Sequence, residues 1–302
     1  MNNRVQGFTL IEMIMVIVLT SIIAVMISSI LNRPLLAYVD TQRRTELVNV
    51  AQVALTRMSS ELEHALPNSI RIDATGQILE FMPFHAAGRY RVGNAGDPNG
   101  LAIRIPDRAF NNLGDITDGT TGRIVVYNTS PGDLYADATG TSPANTGVIT
   151  EADNLVTISN CFIDSLTDSN CSDAAPVGTF LEQVDRLTLA RNHRFDASGS
   201  GSPASRFYLA NDAVTYFCDP SSNELRRLQG YNISASQNTD LSILAATATQ
   251  NNLLASSIST CQFIFDPGNG SYRASLVSLS LSLQKKGESV HLLKEVHLWN
   301  AP

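Results

Sequence analysis

The chain has 302 residues, 43% of them hydrophobic, a formal net charge of −7 and four cysteines. A body of this length buries a substantial core. The acidic balance, with Arg and Lys dispersed, argues against nucleic acid as a partner, because phosphate recognition calls for a basic footprint.

Residues Arg4 to Leu31 read as a short polar leader ending in Gly7, then Phe8, then an apolar run that contains a single acid, Glu12. About 20 mostly apolar residues cross a 30 Å hydrocarbon core, so Phe8 to Leu31 is long enough to span. A secretory signal peptide would show a shorter apolar centre and a small-residue cleavage site, and Leu31-Asn32-Arg33-Pro34 offers none. A lone acid at mid-bilayer costs about 2.5–3.5 kcal/mol, less near the helix end, so Glu12 marks a functional position.

The string Gly7-Phe8-Thr9-Leu10-Ile11-Glu12 resembles the processing motif of type IV pilin-like proteins. The resemblance implies a leader at residues 1–7 that a prepilin peptidase removes after Gly7 on the cytoplasmic side, followed by methylation of the new amine of Phe8. It further implies that Glu12 pairs with the Phe8 amine of a neighbouring subunit. One misplaced helical turn would leave both charges unpaired in lipid, so such a pair registers one helix against the next. The implied partners are other minor and major pilins, met through the N-terminal helix, and inner-membrane assembly machinery. The implied location is the bacterial inner membrane, single-pass, with the headpiece in the periplasm and pilus-associated after assembly. Basic residues counted alone favour the opposite orientation, since Arg4 precedes the span while Arg33, Arg43 and Arg44 follow it. The very short N-terminus and the leader motif outweigh that count.

Pro34 removes an N–H from any helix that contains it and marks the expected membrane exit. Beyond it, residues 35–66 read as an amphipathic arm: Leu47, Ala51, Ala54, Leu55, Met58, Leu62 and Leu66 recur at threes and fours. Pro67-Asn68-Ser69 ends it. The expected helix therefore covers residues 8–66, with 8–31 in the membrane, and extends for roughly 90 Å at 1.5 Å per residue.

Residues 67–302 read as a β-rich headpiece, which makes the fold class α+β: a long N-terminal helix packed on an antiparallel sheet. Strands are expected at Gln77–Phe81, Leu101–Ile105, Arg123–Tyr127 and Arg206–Leu209, separated by Gly, Asn, Asp and Pro clusters. The strict alternation of Val277 to Leu283, the turn at Lys285-Lys286-Gly287 and the one-parity set Val290, Leu292, Val296 and Leu298 predict a hairpin whose apolar face covers the arm. Asn128–Gly147 and Asp196–Pro203 read as surface loops. Gln237–Asn252 is ambiguous between a short helix and irregular chain.

Cys161, Cys171, Cys218 and Cys261 are expected to be oxidised in an exported domain. Four cysteines allow three connectivities. Cys161 with Cys171 would close a polar loop, and Cys218 with Cys261 would join two strands, since Cys218 follows Tyr216, and Cys261 precedes Phe263 and Phe265, at strand spacing. The segments Val214–Cys218, Leu225–Arg227, Cys261–Phe265 and Val296–Asn300 resemble, more weakly, the C-terminal strands of large minor pilins and pseudopilins, most of all those of mannose-sensitive haemagglutinin (MSHA) pilus biogenesis. Length points the same way, toward a low-copy subunit.

His64, His85, His193, His291 and His297 are scattered, and no G-x-S-x-G, H-E-x-x-H or G-x-x-x-x-G-K-[ST] string occurs. No catalysis, metal or cofactor is expected. Asp266-Pro267-Gly268-Asn269-Gly270 offers oxygen ligands that an ordinary tight turn explains as well. The basic runs Arg89-Tyr90-Arg91 and Arg226-Arg227 are expected on solvated strand faces. The resulting expectation is a structural minor pilin, with two alternatives: a pseudopilin of type II secretion, or a periplasmic receptor or adhesin that uses the span as a simple anchor.

Overall fold

The computed structural model describes residues 8–97, 99–116, 120–139, 145–163, 182–196, 201–210, 212–268 and 275–298. Helix α1 (Leu10–Glu63) is followed by the short strands β1 (Arg71–Ile72) and β2 (Ile78–Phe81). A middle stretch holds β3 (Phe84–Arg89), β4 (Asp107–Asn112), β5 (Thr121–Val126), α2 (Pro131–Ala138), β6 (Thr146–Gly147), β7 (Val156–Ile163), β8 (Glu182–Phe195) and β9 (Arg206–Ala210). The last stretch holds β10 (Val214–Asp219), β11 (Glu224–Gln229), α3 (Leu241–Thr247), β12 (Gln250–Ser256), β13 (Ile258–Asp266), β14 (Ser275–Lys285) and β15 (Glu288–Leu298). The class is α+β, with sheets built largely of antiparallel pairs.

Helix α1 passes Pro34 without a break. Its second half buries the stripe expected from the 3.6-residue period: Leu47, Ala51, Ala54, Leu55, Met58 and Leu62 are all at most 4% exposed. The stripe docks on two sheets at once. One has the order β1-β2-β10-β11-β12 and the other β13-β14-β15. From the second, Val277, Leu279, Leu281 and Leu283 of β14 meet the helix with Val290, Val296 and Leu298 of β15. The hairpin joining them has the register Lys285↔Glu288, which leaves Lys286 and Gly287 as a two-residue turn with φ of 49° and 90°. Both central residues are thus left-handed, as a type I′ turn requires, and glycine takes the second position at no steric cost.

Cys218 of β10 and Cys261 of β13 form a disulfide, with Cα atoms 6.6 Å apart and 43 residues between them in sequence. It joins the two sheets directly beneath α1, in the same apolar cluster. Cys161 lies in β7, whereas Cys171, and with it the Cys161–Cys171 pairing, falls outside the described residues.

The middle stretch is an insertion. Strands β2 and β10 are hydrogen-bonded neighbours, with Phe81 opposite Val214, so everything from Met82 to Ala213 leaves and re-enters the sheet at one point. The inserted strands run β3-β9-β5-β7-β8-β4, and Tyr90 pairs with Asn112 to bring the two outer strands together. The result is a barrel-like module around its own core, with Phe110, Leu187, Phe195, Phe207 and Leu209 at most 1% exposed. A third cluster, which includes Leu66, Met82, Val125, Tyr135 and Leu228, fills the junction between module and scaffold. The module starts beside the C-terminal end of α1, where the Phe84 N–H donates to the His64 carbonyl at 3.0 Å.

Buried charge secures the same junction. Glu80, 2% exposed, accepts from Arg71 Nε and from the Tyr231 hydroxyl, both at 2.8 Å. The Arg71 guanidinium carbon lies 3.6 Å from the centroid of the Tyr135 ring of α2, and its remaining nitrogens donate to the Ala235 and Ser234 carbonyls. A carboxylate this deep persists because its oxygens are bonded and a cation faces it.

Three expectations are corrected. Leu101–Ile105 is not a strand: Arg104 has φ of 66°, and the Asp107 carboxylate accepts from the Ala102 N–H, which closes a turn ahead of β4. Asn128–Gly147 is not simply a surface loop, because Ser130 caps α2 through the Asp133 N–H and the helix buries Leu134 and Tyr135 completely. Arg227 is not on a solvated face. At 8% exposed, its Nε donates to both Glu61 oxygens, at 3.0 and 2.8 Å, and ties β11 to the last turns of α1. The ambiguous stretch Gln237–Asn252 resolves into α3, capped by Asp240, and the start of β12.

Burial alone would raise the Glu61 carboxyl, but the hydrogen bond and charge of Arg227, with Arg57 beside them, outweigh it and hold the carboxyl below the usual glutamate range. A lowered folded-state value contributes stability above the unfolded glutamate value of about 4.3, and that stability is lost as pH falls through the folded value. Arg227→Ala should therefore lower stability by about 1–3 kcal/mol and flatten its pH dependence on the acid side, as read by thermal unfolding of the full chain in detergent. Replacing Cys218 and Cys261 together with Ala should cost about 2–5 kcal/mol in the same measurement.

Candidate processing and assembly site

The first described residues are Phe8 and Thr9, and Gly7 lies outside the described part. Thr9 is the N-cap of α1, with extended backbone at φ −80° and ψ 151°. Its hydroxyl oxygen accepts from the Glu12 N–H at 3.4 Å, and its carbonyl accepts from the Glu12 and Met13 N–H groups. The Thr9 hydroxyl also lies 3.5 Å from Glu12 Oε2. Thr-x-x-Glu is a capping-box spacing, with the acid at the third helical position, where it also faces the positive end of the helix dipole. Sequence reasoning missed this cap, although the Thr9-to-Glu12 spacing displayed it.

From Leu10 to Ile27 the helix is long and apolar enough to cross a membrane, and none of that stretch is buried against the rest of the chain. Its other polar side chains look after themselves. Thr20 donates to the Val16 carbonyl at 2.7 Å and Ser21 to the Ile17 carbonyl at 2.6 Å, the back-bonding that lets hydroxyls sit in lipid. Glu12 differs. A carboxyl group offers several lone-pair sites, and among the described residues the side chain set against Glu12 is the Thr9 hydroxyl at 3.5 Å. The arrangement orients the acid at the first turn of the helix.

The remaining candidates disperse. His193 is fully buried, with its ring nitrogens 3.3 Å from Glu151 Oε2 and 3.1 Å from the Gly147 carbonyl. His64 contacts the Ser60 carbonyl and His291 the Ser282 hydroxyl. His85 and His297 are exposed. Among the described residues, no group of three or more His, Cys, Asp or Glu side chains is placed to hold a metal ion. The Asp266 carboxylate accepts from the Gly268 N–H in a local turn, and Asn269 and Gly270 lie outside the described residues. Arg226 is taken up by Glu224 and Asn251.

No curated protein and no solved structure matches the chain. Residues 2–28 match the family model of the prokaryotic N-terminal methylation motif, which places Gly7, Phe8, Thr9 and Glu12 in one recognised segment and supports a type IV pilin-like protein whose apolar helix anchors it in a membrane.

Proposed function

We propose that the chain is a minor pilin: a structural subunit cut between Gly7 and Phe8, methylated on the new amine, and built into, or priming, a type IV pilus-like filament without catalysing a reaction. The observation that carries this reading is Glu12, an acid held at the start of a lipid-length helix with, among the described residues, one neutral side-chain contact. An isolated ion in hydrocarbon is prohibitively costly unless a counter-charge is supplied. Cleavage after Gly7 creates such a charge, the Phe8 amine, on every neighbouring copy of the helix. The leader then faces the cytoplasm and the headpiece the periplasm, and the prepilin peptidase and inner-membrane assembly machinery are the partners.

Geometry supports a low-copy, terminal subunit. Helix α1 has 54 residues, about 80 Å at 1.5 Å per residue. The inserted module adjoins the end farthest from the span, where it would crowd any subunit stacked above it. An MSHA-type minor pilin is the finer assignment. The segments that carry that resemblance lie in β10, β11, β13 and at the end of β15, the sheets that seat α1.

Gly7→Val should abolish processing and leave a longer species on a gel, and unchanged mobility would contradict the cleavage. Glu12→Val should be processed normally yet lower filament yield at least tenfold. Glu12→Gln preserves the capping-box side chain while removing the charge. It should fail nearly as badly as Val, and wild-type yield from it would show that the charge is dispensable.

A further inference from the structure

The lysines of the chain are Lys285, Lys286 and Lys294, and all of them lie in the β14–β15 hairpin of a protein whose formal net charge is −7. Lys285 and Lys286 occupy its tip. Lys285 Nζ bonds Glu46 Oε1 at 2.7 Å, so the tip meets α1 one residue before the buried stripe begins at Leu47, at the end of the stripe nearer the span. Arg43 and Arg44 stand on α1 within one turn of Glu46. The acids of this shoulder already face cations: Arg43 bonds Asp40 at 3.1 Å, Glu46 takes Lys285, and Glu288 is opposite Lys285 in the hairpin register. Arg44 and Lys286 are exposed and form no ion pair among the described residues.

Helix α1 runs unbroken from the span to this shoulder. From Pro34, the expected membrane exit, Glu46 lies about 18 Å along the axis at 1.5 Å per residue. The headgroup layer takes up about 5–8 Å of that distance. At the headgroup level stands Tyr38, 62% exposed, a residue type that favours the membrane–water interface. A tilt of about 20° toward the hairpin, average for a membrane helix, brings the tip to within about one Debye length, 8–10 Å, of the headgroups.

We infer that this shoulder, through Arg44 and Lys286, docks on the anionic headgroups of the leaflet from which α1 emerges and leans the headpiece against the bilayer. The inference rests on membrane anchoring and is independent of the processing step. It gives Arg44 a role that charge counting reads only as an orientation signal.

The test uses the full chain in nanodiscs of phosphatidylcholine alone, or of phosphatidylcholine and phosphatidylglycerol in equal parts, with a dye on Ser289→Cys, an exposed position beside the tip. Quenching by acrylamide, which is uncharged, reads how open the tip is to water. It should fall about twofold or more in the anionic discs and recover in ~1 M salt, where the Debye length is about 3 Å. Arg44→Gln and Lys286→Asn should each shift the balance from docked to lifted by about fivefold. Asn tolerates the left-handed backbone of that turn, where φ is 49°. Lys294→Gln removes the same charge about 20 Å farther along the hairpin and should leave the balance unchanged. Equal quenching in the two lipids would overturn the proposal and leave the basic tip to a protein partner. Equal effects of Lys294→Gln and Lys286→Asn would overturn it as well. A chain that does not stay in the discs would overturn the anchoring too.

Discussion

A carboxylate in a helix made for lipid constrains this molecule more than any other group. Glu12 stands near the start of that helix, the described residues offer it the Thr9 hydroxyl at 3.5 Å, and Thr20 and Ser21 farther along donate to carbonyls of their own helix. Insertion in a bilayer sets a cost against such an acid, smaller near a helix end than at mid-bilayer. In the proposed filament a cation from another chain at the same depth would recover that cost. The same pairing would set the register between helices, because a displacement of one turn would separate the charges by about 5.4 Å in a medium of low dielectric.

The rest of the fold keeps the exposed half of α1 available while holding the other half firmly. Among the described side chains before Leu47 none is buried, and from Leu47 to Leu62 the helix lays its apolar stripe on two sheets that the Cys218–Cys261 bond joins beneath it. Arg227 fixes the last turns through Glu61, and Lys285 at the foot of the hairpin reaches Glu46 at 2.7 Å. The second contact is exposed and worth little by itself. The inserted module adds bulk without disturbing this seat. It leaves between two hydrogen-bonded strands and is held by the Arg71–Glu80–Tyr231 cluster and the Tyr135 ring.

The parts legible in the sequence were those with a strong period or a local string. The Leu47–Leu62 stripe and the Val277–Leu283 alternation with its Lys286-Gly287 turn follow from spacing within single elements, whereas spacing placed Cys218 and Cys261 on strands and left three connectivities open, of which the structure shows Cys218–Cys261. The insertion was not legible, because the adjacency of Phe81 and Val214 is a long-range pairing that no local pattern announces. Arg227 was misread for a related reason: it shares its strand pattern with solvated arginines, and its partner lies 166 residues away. Helix α2 was hidden by Gly132, Asp133 and Asp137, whose turn propensities outweigh two apolar residues until the Ser130 cap and the burial of Leu134 and Tyr135 are taken into account. At the candidate site, the Gly7-to-Glu12 string was legible as part of the methylation motif that residues 2–28 match, while the Thr9 cap was missed although its spacing to Glu12 displayed it.

Intact mass and N-terminal sequencing of the protein isolated from its native host test the central claim most directly. The account predicts a chain that begins at Phe8 and carries one methyl group on its amine, the cation that Glu12 of a neighbour requires. A mature chain that begins at Met1, and so lacks that amine, would contradict it.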